Sequence, residues 1–251
     1  MHKEISLCLS GGAARGAYEL GIVSVLQEHN ITIKAISGTS IGALIGAAFA
    51  CGKKASFVFE VMRSKEFRSV FSFKPFKGAL FQLNQHATIL DSIIDKESFE
   101  ALEIPLCVVA CDVVDAKPLY FQSGDDLRMA VLASCSIPPL FHPVTYKDRV
   151  LMDGGVVDNF PVEWLQQYDY PIVGINLHPK KHHIPKSFYG WLRNNVYIAW
   201  QAPNQAKQEL CDIYLCNPKL LECKVFSFGD IDKAYHLGRE QMQKMIQEGS
   251  F

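Results

Sequence analysis

The chain has 251 residues, with 25 Lys and Arg against 26 Asp and Glu, 49% hydrophobic and 20% charged residues, a balance that excludes disorder. That length suffices for one large α/β domain or two small ones, whose core needs no metal or disulfide staples. A formal net charge of −1 leaves no overall footprint for a polyanion, so nucleic acid is not an expected partner.

Strand-like apolar runs are predicted at Glu4–Leu9, Thr32–Ser37, Pro105–Val114, Leu119–Gln122, Arg149–Met152, Ile172–Leu177 and Asp212–Cys216. Helical spacing or propensity marks Ala14–Glu28, Ile41–Cys51, Ala55–Ser64, Leu127–Cys135 and Ile231–Gln247, the last with Asp230 as its N-cap. Runs such as Leu106-Cys107-Val108-Val109-Ala110 lack polar alternation, as expected of strands buried on both faces. Alternation of strand and helix predicts an α/β fold, a mainly parallel sheet covered in three α/β/α layers. Residues 65–86 and 178–190 read as long irregular excursions, and no repeat or linker divides the chain, so residues 1–251 are expected to form a single domain.

The charged start and short apolar run of the N-terminus do not match a secretory signal, and no apolar stretch reaches the roughly 18 residues of a membrane span. Of eight cysteines, Cys8, Cys107, Cys111 and Cys135 lie in apolar segments, and no CxxC pair suggests zinc or redox chemistry. Buried, reduced thiols of a cytoplasmic protein are expected.

Three motifs carry chemistry. Gly38-Thr39-Ser40-Ile41-Gly42 fits G-x-S-x-G between a predicted strand and helix, the context in which a tight turn exposes a nucleophilic hydroxyl at a helix N-terminus. The bland reading is a Ser N-cap beside glycines used for close packing. Ser10-Gly11-Gly12-Ala13-Ala14-Arg15-Gly16 fails the dinucleotide pattern at Ala13 and the Walker pattern for want of Gly-Lys-Ser/Thr. What remains is a Gly-rich turn whose free N–H groups suit an anion or oxyanion. Asp153-Gly154-Gly155 ends a short apolar strand; in a parallel sheet it would reach the rim that carries Ser40, and otherwise it is an ordinary Asp-Gly turn.

A serine nucleophile needs a base. Only 39 residues precede Ser40, too few for the several strands that an α/β-hydrolase places before its elbow. His2, His29, His86 and His236 sit in polar contexts, His142 in a proline-rich turn, and His178, His182 and His183 crowd a Lys-rich loop that reads as solvated. A carboxylate base is the better reading.

With LSGGAARGAYELG at residues 9–21, GTSIGA at 38–43, ASCSIPPLFHPV at 133–144 and MDGGVVDNFPV at 152–162, the chain resembles the patatin-like phospholipase family. The resemblance implies the three-layer fold and a dyad of Ser40 as nucleophile and Asp153 as base. It also implies an oxyanion hole from the Gly11, Gly12 and Ala13 backbone, with Ala13 where a third glycine is more usual. Arg15 matches the family's basic position, and reads equally as a contact for a lipid phosphate or as a loop pin held by a carboxylate. The implied activity is hydrolysis of phospholipid or lysophospholipid esters through an acyl-enzyme, with no metal or cofactor. Acyl transfer or thioester cleavage by the same dyad, and a non-catalytic lipid-binding module, are the rivals.

Residues 67–90 and 170–208 contain no Asp or Glu but eight Lys or Arg, and 11 of the 28 aromatic residues. That combination suits peripheral contact with an anionic lipid surface. Phe71–Gly78 lacks a helical or strand period and is expected to form a mobile apolar flap over Ser40.

Overall fold

Strand β1 (Glu4–Leu9) is buried after its first residue, and β2 (Thr32–Thr39) is wholly buried from Ala35 onward. The computed structural model describes residues 2–68, 70–73, 81–83, 88–181 and 184–251. Between these strands run a 3-10 turn (Ala13–Arg15) and α1 (Gly16–Glu28); β2 passes through Ser40 directly into α2 (Ile41–Ala50). There follow α3 (Ala55–Arg63), α4 (Lys65–Arg68), β3 (Phe71–Phe73), β4 (Phe81–Leu83), α5 (Thr88–Ile93), β5 (Leu106–Asp112), β6 (Lys117–Phe121), α6 (Leu127–Ser134), β7 (Val144–Tyr146) and β8 (Arg149–Asp153). The last part holds β9 (Ile172–Ile175), α7 (Phe188–Ala206), β10 (Ile213–Leu215) and α8 (Ile231–Gln247). Residues 74–78 of the expected Phe71–Gly78 flap lie outside the described residues, as do His86, His182 and His183; its first three residues, expected to have no strand period, instead form β3, which pairs antiparallel with β4.

The central sheet runs β10-β9-β1-β2-β5-β8-β7, with β6 also on β5. From β10 to β5 every pairing is parallel, and the β5, β6, β7 and β8 end is antiparallel. Alternate β1 side chains face opposite ways. Leu7 and Leu9 join the large core beneath α1, α2, α3, α5, α6 and α8, whereas Cys8 packs with Phe160, Val162 and Leu165. The fold is thus a mixed α/β sandwich, with a helical layer on one face and a thinner one, including the 3-10 segment Val162–Gln167, on the other.

The register of β5 decides where the site forms. Thr39 pairs with Val109 and Asp153 with Ala110, the next residue along the same strand, while β6 occupies the other edge of β5 at both positions. Strands β2 and β8 therefore share one edge of β5 and meet end to end. The sequence-based expectation of a parallel strand carrying Asp153 needs correcting: β8 is antiparallel to β5, and its carboxyl end reaches Ser40 because β2 stops where β8 arrives.

Two predicted features change on contact with the tertiary structure. Asp230 stands at the N-cap of α8 without capping it; its Oδ2 accepts from Lys224 N–H at 3.0 Å instead. Helix α7, inside a stretch without a predicted helix, begins where the Ser187 hydroxyl accepts from Gly190 N–H.

Candidate active site

Ser40 sits in the turn between β2 and α2 with φ 56° and ψ −124°, a left-handed backbone that a non-glycine residue adopts only under tertiary constraint. Close packing supplies that constraint. A Cβ on Gly38 would stand 2.5 Å from the Gly42 carbonyl oxygen, and one on Gly42 would stand 2.4 Å from that of Leu9. Both glycines of the motif are thus required by backbone-to-backbone approach. The Ser40 N–H donates to Ser134 Oγ at 2.8 Å, and Ser134 Oγ donates to Val109 O at 2.5 Å, which ties the turn to α6 and β5. Although Ser40 stands at the N-cap of α2, its hydroxyl makes no capping bond, so the capping role is ruled out.

Asp153 is 3% exposed and uses one oxygen structurally: Oδ1 accepts from Gly155 N–H at 2.7 Å. Its backbone N–H donates to Ser136 O, within the ASCSIPP segment. The other oxygen, Oδ2, is buried and among the described residues has no hydrogen-bond partner. Burial pushes the Asp153 pKa up to about 7, against smaller opposing effects of the nearby Ser40 hydroxyl and of Gly155 N–H. The Ser40 hydroxyl is thus close enough to the carboxyl to act on its charge.

The Gly-rich turn lies against the same pair. Gly11 N–H donates to Asn159 O at 3.3 Å, so of the three amides expected as oxyanion donors this one is already engaged. Among the described residues neither Gly12 nor Ala13 N–H has a hydrogen-bond partner. Ala13 takes φ 49°, so the left-handed conformation survives where a third glycine is more usual, at some cost in strain. A Cβ on Gly12 would crowd Leu177 at 2.6 Å. Arg15 is 4% exposed; its Nε donates to Cys223 O at 2.8 Å and its Nη1 to Leu177 O at 3.0 Å. Arg15 pins two loops through main-chain carbonyls, neither a carboxylate nor an open cationic subsite.

Two spaces open beside Ser40. A cavity of about 470 Å³ is lined by apolar side chains including Ile41, Leu44, Met62, Leu132 and Phe141, within the range of roughly 300–1,000 Å³ usual for ligand sites. A nook of about 10 Å³ is lined by Gly11, Gly12, Ala13, Ser40, Asp153, Asn159 and His178. His178 is 1% exposed; the reading of it as solvated is wrong, because α7 closes over the loop after β9 with Tyr197 and Trp200 against the ring. Sequence reasoning also passed over Ser134 and Asn159, though both stand inside the quoted ASCSIPP and DGGVVDNFP motifs. Among the described residues no group of three or more His, Cys, Asp or Glu is arranged to hold a metal ion, and all eight cysteines are free thiols.

A family model described as patatin-like phospholipase matches residues 7–165. An uncharacterised NTE family protein of Mycobacterium tuberculosis is 31% identical over 175 residues, covering 68% of this chain and 46% of its own length. Patatin-like phospholipase domain-containing protein 6 of Homo sapiens is 30% identical over 174 residues, covering 63% of this chain and 12% of its own. For lysophospholipase NTE1 of Debaryomyces hansenii the values are 28% over 169 residues, 64% and 11%. The chain therefore spans less than half the length of these curated relatives. Among solved structures, VipD from Legionella pneumophila aligns at a TM-score of 0.56 over 98% of this chain and 67% of its own, with 14% identity, a likeness of fold.

Proposed function

The chain belongs to the patatin-like phospholipase family, and from that premise we propose that it hydrolyses long-chain carboxylic esters of phospholipids or lysophospholipids through Ser40 and Asp153. One observation carries the reading: a strained serine whose hydroxyl caps nothing lines an apolar cavity and stands beside a buried carboxylate oxygen with no hydrogen-bond partner among the described residues.

In this reading the acyl chain occupies the cavity and the scissile carbonyl lies over Ser40. Asp153 Oδ2 takes the Ser40 proton as Oγ attacks the carbonyl carbon, and the Gly12 and Ala13 N–H groups receive the charge on the oxygen. Collapse of the tetrahedral intermediate expels the alcohol, which takes the proton from Asp153. Water then attacks the acyl-enzyme, gives its proton to Asp153, and releases the fatty acid as Ser40 recovers its own. Acyl transfer shares the first half and differs only in the acceptor.

Delivery from a lipid surface is supported by α7. Its Phe188 and Tyr189 are 78% and 76% exposed, Leu192 is also exposed, and Ile184, Lys180 and Lys186 lie exposed just before the helix. Exposed rings and aliphatics beside lysines suit peripheral contact with anionic headgroups. No described helix is long and apolar enough to cross a membrane.

The test is covalent labelling by a fluorophosphonate together with turnover of a lysophospholipid. Native protein should label and turn over, Ser40→Ala should do neither, and Asp153→Asn should remain folded with kcat down by 100-fold or more, on the order expected for a lost general base. Labelling of Ser40→Ala, or near-native kcat in Asp153→Asn, would reject the dyad. Product partition with and without an added alcohol separates hydrolysis from transfer.

A further inference from the structure

His178 lies in the segment Asn176-Leu177-His178-Pro179 after β9 and is buried although Lys180 and Lys181 follow it closely. Its main chain is fixed: His178 N–H donates to Asn176 Oδ1 at 3.0 Å, and Asn204 Nδ2 of α7 donates to the same oxygen at 2.8 Å. Its ring is fixed as well, with the Tyr197 and Trp200 centroids each 5.4 Å away. Such double restraint is more than a packing histidine at a loop needs.

Neighbouring atoms decide where its proton sits. The Gly11 carbonyl oxygen only accepts, so the Asn159 side-chain atom facing it at 3.4 Å is the amide nitrogen Nδ2. That same Nδ2 faces His178 Nδ1 at 3.4 Å. Both contacts are long, yet an N–H directed at Nδ1 is compatible only with an unprotonated Nδ1, which puts the ring proton on Nε2. Burial, with the charges of Arg15 and Lys181 adding to it, pulls the His178 pKa down to about 3, so the ring is neutral near pH 7. Nε2 is buried, with no hydrogen-bond partner among the described residues. His178 also lines the nook of about 10 Å³ shared by Gly12, Ala13, Ser40 and Asp153, a volume near that of a single water-sized atom.

We propose that His178 Nε2–H is a third oxyanion donor, completing with Gly12 and Ala13 N–H the site that receives the acyl oxygen when Ser40 attacks. The inference rests on the reading of Ser40 as nucleophile and adds to it a catalytic residue from the opposite side of the chain. His178 is not the base: with the Nδ1 lone pair turned to Asn159 Nδ2 and the proton on Nε2, the ring keeps no free lone pair for the Ser40 hydroxyl. A neutral imidazole gives a directed hydrogen bond without adding a full positive charge beside Asp153, which would pull the carboxyl pKa down and weaken the base.

Two variants and one measurement on the native protein test this. His178→Phe keeps a ring between Tyr197 and Trp200 but removes the donor; His178→Gln restores an N–H near the place of Nε2. On a short soluble ester, His178→Phe should lose about 100-fold in kcat with KM little changed, as for removal of one oxyanion donor, and His178→Gln should recover at least about tenfold of that loss. The fluorophosphonate labelling rate should follow kcat, while the acid limb of kcat/KM stays near the Asp153 value of about 7. In native protein with isotope-labelled histidine, NMR should show an Nε2–H signal that moves downfield when the phosphonate adduct forms. A folded His178→Phe protein with kcat within about threefold of native, glutamine no better than phenylalanine, or an Nε2–H signal unmoved by the adduct would overturn the proposal. Labelling that persists in Ser40→Ala would instead reject the nucleophile itself, so the two failures are separable.

Discussion

The burial that raises the Asp153 pKa also costs the native state. With the carboxyl raised from 3.8 to about 7, the folded protein holds a proton that the unfolded chain releases between those values. Stability is therefore fully present below about pH 4, falls as pH rises toward 7, and levels off above it, by roughly 4 kcal/mol at most. In the proposed dyad activity runs the other way, because only the ionised carboxylate would accept the Ser40 proton. kcat/KM for a soluble ester should rise with pH to a plateau above an apparent pKa near 7, and a flat profile from pH 5 to 8 would contradict the assignment. Asp153→Asn should unfold near the native temperature at pH 4 but above it at pH 8, as scanning calorimetry would show. At this scale Ser40 and Asp153 were legible because each belongs to a motif whose local turn chemistry is written in adjacent residues. Arg15 was visible as a residue but not as a carbonyl-bound loop pin, and His178 was misread, because its burial comes from α7, whose contact no local pattern encodes.

Helices α1 and α8 meet through glycine. A Cβ on Gly21 would stand 2.1 Å from the Tyr235 carbonyl oxygen, and one on Gly238 would stand 2.1 Å from that of Tyr18. Neither obstacle is a flexible side chain, so the helices must separate to admit a methyl group. Gly21→Ala and Gly238→Ala should each destabilise by about 1–3 kcal/mol, read as a lower midpoint in urea unfolding. Midpoints equal to native would mean that the two helices do not pack this closely. The bounds of α8 were readable to the residue, since its apolar positions recur at helical spacing on the buried side. Helix α7 was not. Among its described side chains only Tyr197 and Asn204 are buried, while Phe188, Tyr189, Trp191, Leu192, Val196 and Ile198 are exposed, so hydrophobic periodicity does not mark the side that faces the protein.

Across the whole molecule, the outward apolar side of α7 and the cavity beside Ser40 make a division of labour testable. Phe188→Ser with Leu192→Ser should weaken binding to anionic vesicles by about tenfold, since each residue brings apolar area to the boundary. Hydrolysis of vesicular lipid should slow with it, and turnover of a short soluble ester should change little. Unchanged flotation with vesicles, or equal losses on both substrates, would show that α7 does not meet the lipid.

The amino-acid order by itself determined the strand-helix alternation, the central sheet, the strained elbow at Ser40 and the turn at Asp153, because each depends on apolar runs, glycines and polar residues within a few positions of one another. Only the tertiary structure decided how residues 113 positions apart become neighbours: β2 and β8 meet end to end along one edge of β5. It also decided which turn amides are left free, and that an imidazole from a lysine-rich loop is buried beside them. Those outcomes depend on which groups lose water to which others, and desolvation by distant segments leaves no mark in the local order of residues.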